Sequence, residues 1–328
     1  MTITSIKISE FGGPDVMQLV SAPCPTPQTG EVRVKLTAIG VNLIDTYHRT
    51  GLYPLPLPSG LGCEGAGVVD ATGQGVDSLA IGDRVGFCMA MGAYSEAIIV
   101  PQTSLVKLPD GVSDAQAAAV LLKGMTVDYL FNETFALSGG ETILFHAAAG
   151  GVGLLACQWA KHLGVSLIGT ASTPAKCDMA RAHGAAACLV LDEAALASGL
   201  RDELNALTDG KGFPVVYDSV GQATYQLSLQ ALAPLGTLVS FGNASGPIEA
   251  VSPSALAAAG SVYFTRPTLA THIARPGWMQ KSANRLFDLM ARKIINVDIN
   301  QTYRLADVAQ AHRDLEARIT TGCSIIFP

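Results

Sequence analysis

The most restrictive stretch of the chain is Glu141 to Gly169. An apolar run, Thr142-Ile143-Leu144-Phe145, enters the turn Ala147-Ala148-Ala149-Gly150-Gly151-Val152-Gly153, and a periodic apolar segment, Leu154 to Lys161, leaves it. Strand, glycine turn and helix in that order aim the backbone N–H groups of a helix N-terminus at a pyrophosphate. Gly150 leaves the phosphates room to approach the backbone, and Gly153 lets the helix pack closely on its strand. Against the usual G-x-G-x-x-G pattern, Ala148 replaces the first glycine, so φ is expected to stay negative there.

A second strand, Val165-Ser166-Leu167-Ile168-Gly169, follows the break at Gly164. About 20 residues beyond such a turn, NAD-binding proteins place an Asp or Glu on the ribose 2′-hydroxyl. Here the place reads Thr170-Ala171-Ser172-Thr173-Pro174-Ala175-Lys176, with no carboxylate, small residues that leave space, and a cation. A carboxylate would repel a 2′-phosphate and Lys176 attracts one, which selects NADPH over NADH. A ligand-free tight turn explains the glycines alone, but not strand, turn, helix, strand and the missing acid together.

At 328 residues the chain is long enough for two domains with full cores. A net charge of −6 with no cluster of Lys and Arg argues against a nucleic-acid partner, whose phosphates need such a cluster. Mean hydropathy is high at +0.34, yet the longest uncharged candidate span, Thr142 to Ala160, contains His146 and the glycine turn. No membrane partner is expected. The seven cysteines are dispersed without a C-x-x-C pair, which reads as reduced thiols. With a strand-like N-terminus in place of a signal peptide, a soluble, cytoplasmic protein is expected.

Residues up to about Asp110 read as short alternating strands, such as Glu31 to Leu36, punctuated by Gly and Pro, and suggest a small, partly open β-barrel. Leu61 to Val69 is glycine-rich, as where a strand bends or another backbone approaches. Helices are then expected over 114–122 and Val127 to Phe135, separated by Lys123-Gly124-Met125-Thr126. Beyond the glycine turn, helices 174–183, 193–207 and 222–233 alternate with strands at Cys188 to Leu191, Pro214 to Asp218, Thr237 to Phe241 and Ser261 to Phe264. Such alternation predicts an α/β doubly wound parallel sheet. The remainder supplies helix, strand, helix and the final strand Ser324 to Phe327, which would fold back on the barrel.

The chain resembles the quinone oxidoreductase (zeta-crystallin-like) family of the medium-chain dehydrogenase/reductase superfamily, and within it the bacterial NADPH:quinone reductases. The likeness runs end to end. It is carried by Asn42 to Tyr47, Ser59 to Gly62, Gly82 to Val85, Leu122 to Thr126, Phe145 to Gly153, Val216 to Gly221, Ser240 to Asn243 and Thr265-Arg266-Pro267. The resemblance implies a GroES-like β-barrel domain (1–125) into which a Rossmann NADPH-binding domain (126–265) is inserted, the barrel being completed by 266–328, and a homodimer formed through the Rossmann sheet edge. It places Asn42, Tyr47 and Thr126 around the nicotinamide, and Gly150, Gly151, Val152, Ser172 and Lys176 at the phosphates; Lys123 is a further candidate, for the nicotinamide ribose, and Ala149, in the glycine turn, another for the cofactor. Ser219, Phe241 and Arg318 would line the rest of the cofactor. Family members often carry a Tyr beside the 2′-phosphate where this chain has Leu191, which leaves Lys176 with less help.

Zinc-dependent relatives use a Cys and a His at fixed barrel positions, which here resemble Asn42 and Cys63, the latter beside Glu64. Asn is a poor zinc ligand and one thiol with one carboxylate does not complete a tetrahedral site, so no metal is expected. Without a Lewis acid, an acceptor that takes a hydride directly fits better than an alcohol. The expected function is therefore NADPH-dependent reduction of a quinone, with Asn42, Tyr47, Tyr53 and Asp45 as candidate catalytic residues and the tyrosine rings stacking on a flat acceptor. Plain packing is the alternative for the tyrosines, and helix capping for Lys123 and Asp218. His146 reads as a hydrogen-bonded core histidine, and His312 carries no spacing tied to chemistry. Two other functions share these features: reduction of the C=C bond of enals or enones, and a non-catalytic NADPH- or RNA-binding, crystallin-like protein.

Overall fold

The structure, a computed structural model, describes residues 2–192, 195 and 200–328. It divides into two compact units, Met1–Met125 with Arg275–Pro328, and Thr126–Ala274.

The chain opens with strands β1 (Thr2–Ile8), β2 (Gln18–Pro23) and β3 (Glu31–Val41), then a short helix α1 (Leu43–Thr50). Strands β4 (Ser59–Gly60), β5 (Glu64–Thr72), β6 (Arg84–Cys88), β7 (Ala97–Pro101) and β8 (Val106–Lys107) follow. β3 shows the two-residue period of a half-buried strand: Val32, Val34 and Leu36 are buried while Lys35 faces out. The glycines of β5 serve close approach. A Cβ at Gly67 would lie 2.0 Å from the Lys35 carbonyl oxygen of β3.

Helix α2 (Asp114–Tyr129) departs from expectation, because it runs unbroken through Lys123-Gly124-Met125-Thr126. Gly124 is there for packing and not for a break: a Cβ on it would meet Leu286 at 2.6 Å. A π-helical turn, Leu130–Thr134, ends the segment.

The second unit alternates β9 (Thr142–Phe145), α3 (Gly151–Leu163), β10 (Ser166–Ala171), α4 (Pro174–Ala182), β11 (Ala187–Val190), α5 (Arg201–Ala206), β12 (Phe213–Asp218), α6 (Tyr225–Ala231), β13 (Leu232–Ser240), α7 (Pro253–Ala258), β14 (Tyr263–Thr265) and α8 (Leu269–Ile273). Part of the helix expected over 193–207 lies outside the described residues. The six strands are all parallel, in the order β11-β10-β9-β12-β13-β14. Numbered from β9 this is 3-2-1-4-5-6, whose switch point lies between β9 and β12. Residues 266–274, assigned to the return segment on sequence, stand with this unit. There His272 of α8 stacks on Tyr129 at 4.5 Å between ring centroids and lies 3.1 Å from Glu133.

The chain ends with α9 (Trp278–Ala291), β15 (Ile299–Arg304), α10 (Val308–Glu316) and β16 (Cys323–Phe327). β16 pairs antiparallel with β3 and parallel with β15, completing a seven-stranded sheet ordered β15-β16-β3-β5-β6-β8, with β7 also on β3. Together with the three-stranded sheet β2-β1-β4, it forms what the sequence suggested as a barrel. No helix among the described residues is long and apolar enough to cross a membrane.

Candidate functional site

In the second unit the candidate cofactor residues cluster at the carboxyl ends of parallel strands. The turn after β9 carries Ala149 to Val152, and the first hydrogen bond of α3 runs from Leu154 N to Gly150 O. The N–H groups of Gly151, Val152 and Gly153 lie ahead of it, where a helix leaves its amides for a ligand. A Cβ at Gly153 would sit 2.5 Å from Ala147 O and 2.6 Å from Ala148 backbone, so only glycine lets α3 come this close. Ala148 keeps φ negative as expected, and the left-handed residue of the turn is its neighbour Ala147, at φ 56°. Gly169 of β10 admits the Ala148 methyl, since a Cβ there would approach it to 2.6 Å.

After β10, Thr173 caps α4 by accepting from Lys176 N at 3.3 Å, and Pro174 occupies the first turn. Ser172 is exposed and Lys176 half-buried on this rim. Leu191 closes the same loop, its N–H donating to Ala171 O at 2.8 Å, and its side chain packs into the apolar core. Ser219 and Phe241 stand after β12 and β13, tied by Phe241 N to Asp218 O at 2.8 Å. Asp218 organises the turn after β12, its Oδ1 accepting from Val220 N at 2.8 Å and Gly221 N at 3.0 Å, whereas the N-cap residue of α6 is Thr224. His146 is a buried core histidine, bonded to Thr170 Oγ1 at 2.8 Å and Ser228 Oγ at 3.0 Å. Thr126 is buried in α2.

The first unit holds a buried polar cluster at the start of α1. Glu64, fully buried on β5, accepts from Asn42 Nδ2 at 2.8 Å, Lys123 Nζ at 3.2 Å and Leu122 N at 2.7 Å. Gly40 makes room for it, since a Cβ there would lie 2.3 Å from Glu64 Oε2. Lys123 lies within α2 and does not cap it. Burial lowers its ammonium pKa, but the Glu64 charge, with Cys323 and Asp45 adding, leaves it above the usual lysine range.

Asp45 is buried too. It accepts from Asn42 N at 2.8 Å and Tyr94 OH at 2.9 Å through Oδ2, and from Cys63 Sγ at 3.3 Å through Oδ1. Burial pushes its carboxyl up to about 6 against those three donors, and nearby Glu64 adds to the rise. Its candidate catalytic role therefore takes a different form, because its oxygens are engaged inside the fold. Burial, then Asp45, holds the Cys63 thiol well above the usual cysteine range. At the two barrel positions that resemble zinc-ligand places, Asn42 donates to Glu64 and Cys63 donates its thiol proton to Asp45. Among the described residues no group of three or more His, Cys, Asp or Glu is arranged to hold a metal.

Tyr47 and Tyr53 meet edge to face, ring centroids 5.3 Å apart at 70°, with Tyr53 N donating to Tyr47 O at 3.1 Å. His48 sits against Tyr53 with centroids 5.9 Å apart. Arg318, just past α10, takes a left-handed φ of 57°. The residues that sequence reasoning missed are Glu64 as an organiser, Tyr94, Arg49 and His312. The available signal was a carboxylate inside the apolar, glycine-rich run Cys63 to Val69, because a charge at such a place needs buried partners.

Two family models match, that of the alcohol dehydrogenase GroES-like domain over residues 28–110 and that of zinc-binding dehydrogenases over residues 151–279. A quinone oxidoreductase of Pseudomonas aeruginosa is 51% identical, covering 98% of this chain and 99% of that protein. The crystal structure of Escherichia coli quinone oxidoreductase complexed with NADPH superposes with a TM-score of 0.96 at 45% identity, over 99% of this chain and 100% of that one. A 2-haloacrylate reductase from a Burkholderia species is 37% identical over 99% of each chain.

Proposed function

The chain belongs to the quinone oxidoreductase family of the medium-chain dehydrogenases and reductases, and on that premise we propose that it is an NADPH:quinone oxidoreductase. The observation that carries the reading is full-length identity to quinone oxidoreductases, joined to a nucleotide-binding turn whose rim has no carboxylate and one lysine.

Bound NADPH supplies the hydride. The amides of Gly151 and Val152 receive the pyrophosphate, with Ala149 and Gly150 in the same turn, and Lys176 with Ser172 receives the 2′-phosphate. Lys123, Thr126, Ser219, Phe241 and Arg318 complete the cofactor contacts in this reading. Asn42, Tyr47 and Tyr53 hold the quinone. The paired aromatic rings suit a flat acceptor, and the Asn42 amide is fixed in place by Glu64. A quinone accepts a hydride at an electrophilic ring system without a metal, and the proton that completes hydroquinone comes from water or a tyrosine hydroxyl. Most of the protein's contribution is then the positioning of two planar rings. The homodimer belongs to the same proposal. Strand β14 is one of the two edges of the sheet, and Tyr263 on it and Leu235 on neighbouring β13 are exposed.

Purified protein oxidising NADPH faster with 1,4-benzoquinone than with an alkenal is the expected result. The 2-haloacrylate reductase relative favours a second reading, reduction of an activated C=C bond, and a clear preference for the alkenal would establish that one instead.

A further inference from the structure

We propose that His312 and Tyr94 are positioning residues for quinone reduction: held in a single hydrogen-bond polarity by Arg49, they present Asp45 with a donor and so fix the start of α1, which carries Asn42 and Tyr47. The proposal rests on the quinone reading for its acceptor, but not for its geometry.

Four side chains, all buried, form one line. Arg49 Nη1 lies 2.9 Å from His312 Nδ1, His312 Nε2 lies 3.0 Å from Tyr94 OH, and Tyr94 OH lies 2.9 Å from Asp45 Oδ2. A guanidinium has donors only, so His312 Nδ1 must accept. The neutral ring then carries its proton on Nε2 and donates to the Tyr94 oxygen. That leaves the Tyr94 proton for Asp45. Each link has one direction, from Arg49 to the carboxylate, and Asp45 meets only donors: Tyr94 O–H, Asn42 N–H and Cys63 S–H.

Arg49 is itself anchored by Glu316 of α10, at 2.5 Å and 3.1 Å, and by Gly12 O at 3.0 Å, so it cannot turn away from His312. Burial, then the Arg49 charge, brings His312 down to about 3, so the imidazole stays neutral through the physiological range. The ionisable and charged groups bearing on Asp45 are Glu64, Cys63, Tyr94 and Lys123, with Arg49 and His312 acting through Tyr94. A protonated Asp45 would face three donors with a hydrogen of its own. The anion is the form this arrangement accepts, and its bond to Asn42 N holds the residue whose amide also binds Glu64.

The test is the pH profile of quinone kcat/KM in Tyr94→Phe beside the unmodified enzyme. Loss of one donor to the anion moves the acid limb upward by about one pH unit. The variant then loses about threefold at pH 6.5 and approaches a tenfold loss at pH 5, recovers most of its activity at pH 8.5, and keeps its KM for NADPH. An active Tyr94→Phe with an unmoved limb overturns the proposal while leaving the quinone reading intact. Nitrogen-15 NMR of the unmodified protein tests the same arrangement without a variant and without an acceptor. A neutral His312 with its proton on Nε2 from pH 5 to 9 supports it, and a ring that titrates in that range, or carries its proton on Nδ1, overturns it.

Discussion

Asn42 and Lys123 donate to the same oxygen, Glu64 Oε2, at 2.8 and 3.2 Å. One buried carboxylate thereby fixes the amide of a proposed acceptor-binding residue and neutralises an ammonium that helix α2 carries into the core. With its other oxygen taken by Leu122 N, Glu64 links β5, α2 and the start of α1. The position is costly to build and hard to vary.

Glu64→Leu leaves the buried Lys123 charge and the Asn42 amide without their acceptor. A loss of about 3–5 kcal/mol of stability is expected. Glu64→Gln keeps an acceptor oxygen and should lose less. Urea unfolding of the two variants checks the order, and equal losses would mean that the acceptor oxygen kept by Gln contributes nothing.

Lys176→Ala removes one charge-assisted contact to a 2′-phosphate, worth about 1.5–3 kcal/mol. Binding of NADPH, followed by its fluorescence, should weaken roughly 10- to 100-fold while NADH is little changed. Equal loss for both cofactors would place Lys176 elsewhere.

Gly153→Ala drives a methyl into the Ala147 carbonyl and the Ala148 backbone. Backbone cannot swing aside as a flexible side chain does, so α3 must shift from its strand. About 1–3 kcal/mol of stability should be lost, together with NADPH affinity. A variant with unchanged melting and binding would contradict the role given to this glycine.

Asp45 gives a pH signature whose sign follows from its raised carboxyl, about 6 in the fold against about 4 in an unfolded chain. Between those values the folded state binds more protons than the unfolded one, so stability due to Asp45 falls as pH rises from about 4 to about 6 and is flat above. The full change is on the order of 3 kcal/mol. Denaturation of the unmodified protein minus Asp45→Asn, measured across pH 4–7, should show this slope. A difference that rises with pH in that window would contradict it.

Most of this architecture was legible in the chain itself. The turn at Ala147 to Gly153 and the alternating segments after it predicted the parallel sheet, because strand and helix periods and glycine turns are local signals. The break expected at Gly124 was misplaced for a nonlocal reason: that glycine makes room for Leu286, 162 positions later. The same limit hid His312. Its partners Arg49 and Tyr94 lie 263 and 218 positions away, and no spacing along the chain joins them. Tyr47 and Tyr53, six positions apart, could be paired on sequence, whereas Asp45 could be singled out but not seen to face inward.

The central claim is that a hydride passes directly from NADPH to a quinone on this chain with no metal taking part. Single-turnover oxidation of NADPH carrying deuterium at the transferred C4 position, with 1,4-benzoquinone and chelator-treated protein, tests it most directly. Quinone-dependent oxidation that persists after chelation and slows with deuterium on one face of C4 is the predicted result. No quinone-dependent oxidation, or a rate insensitive to deuterium on either face, would contradict it.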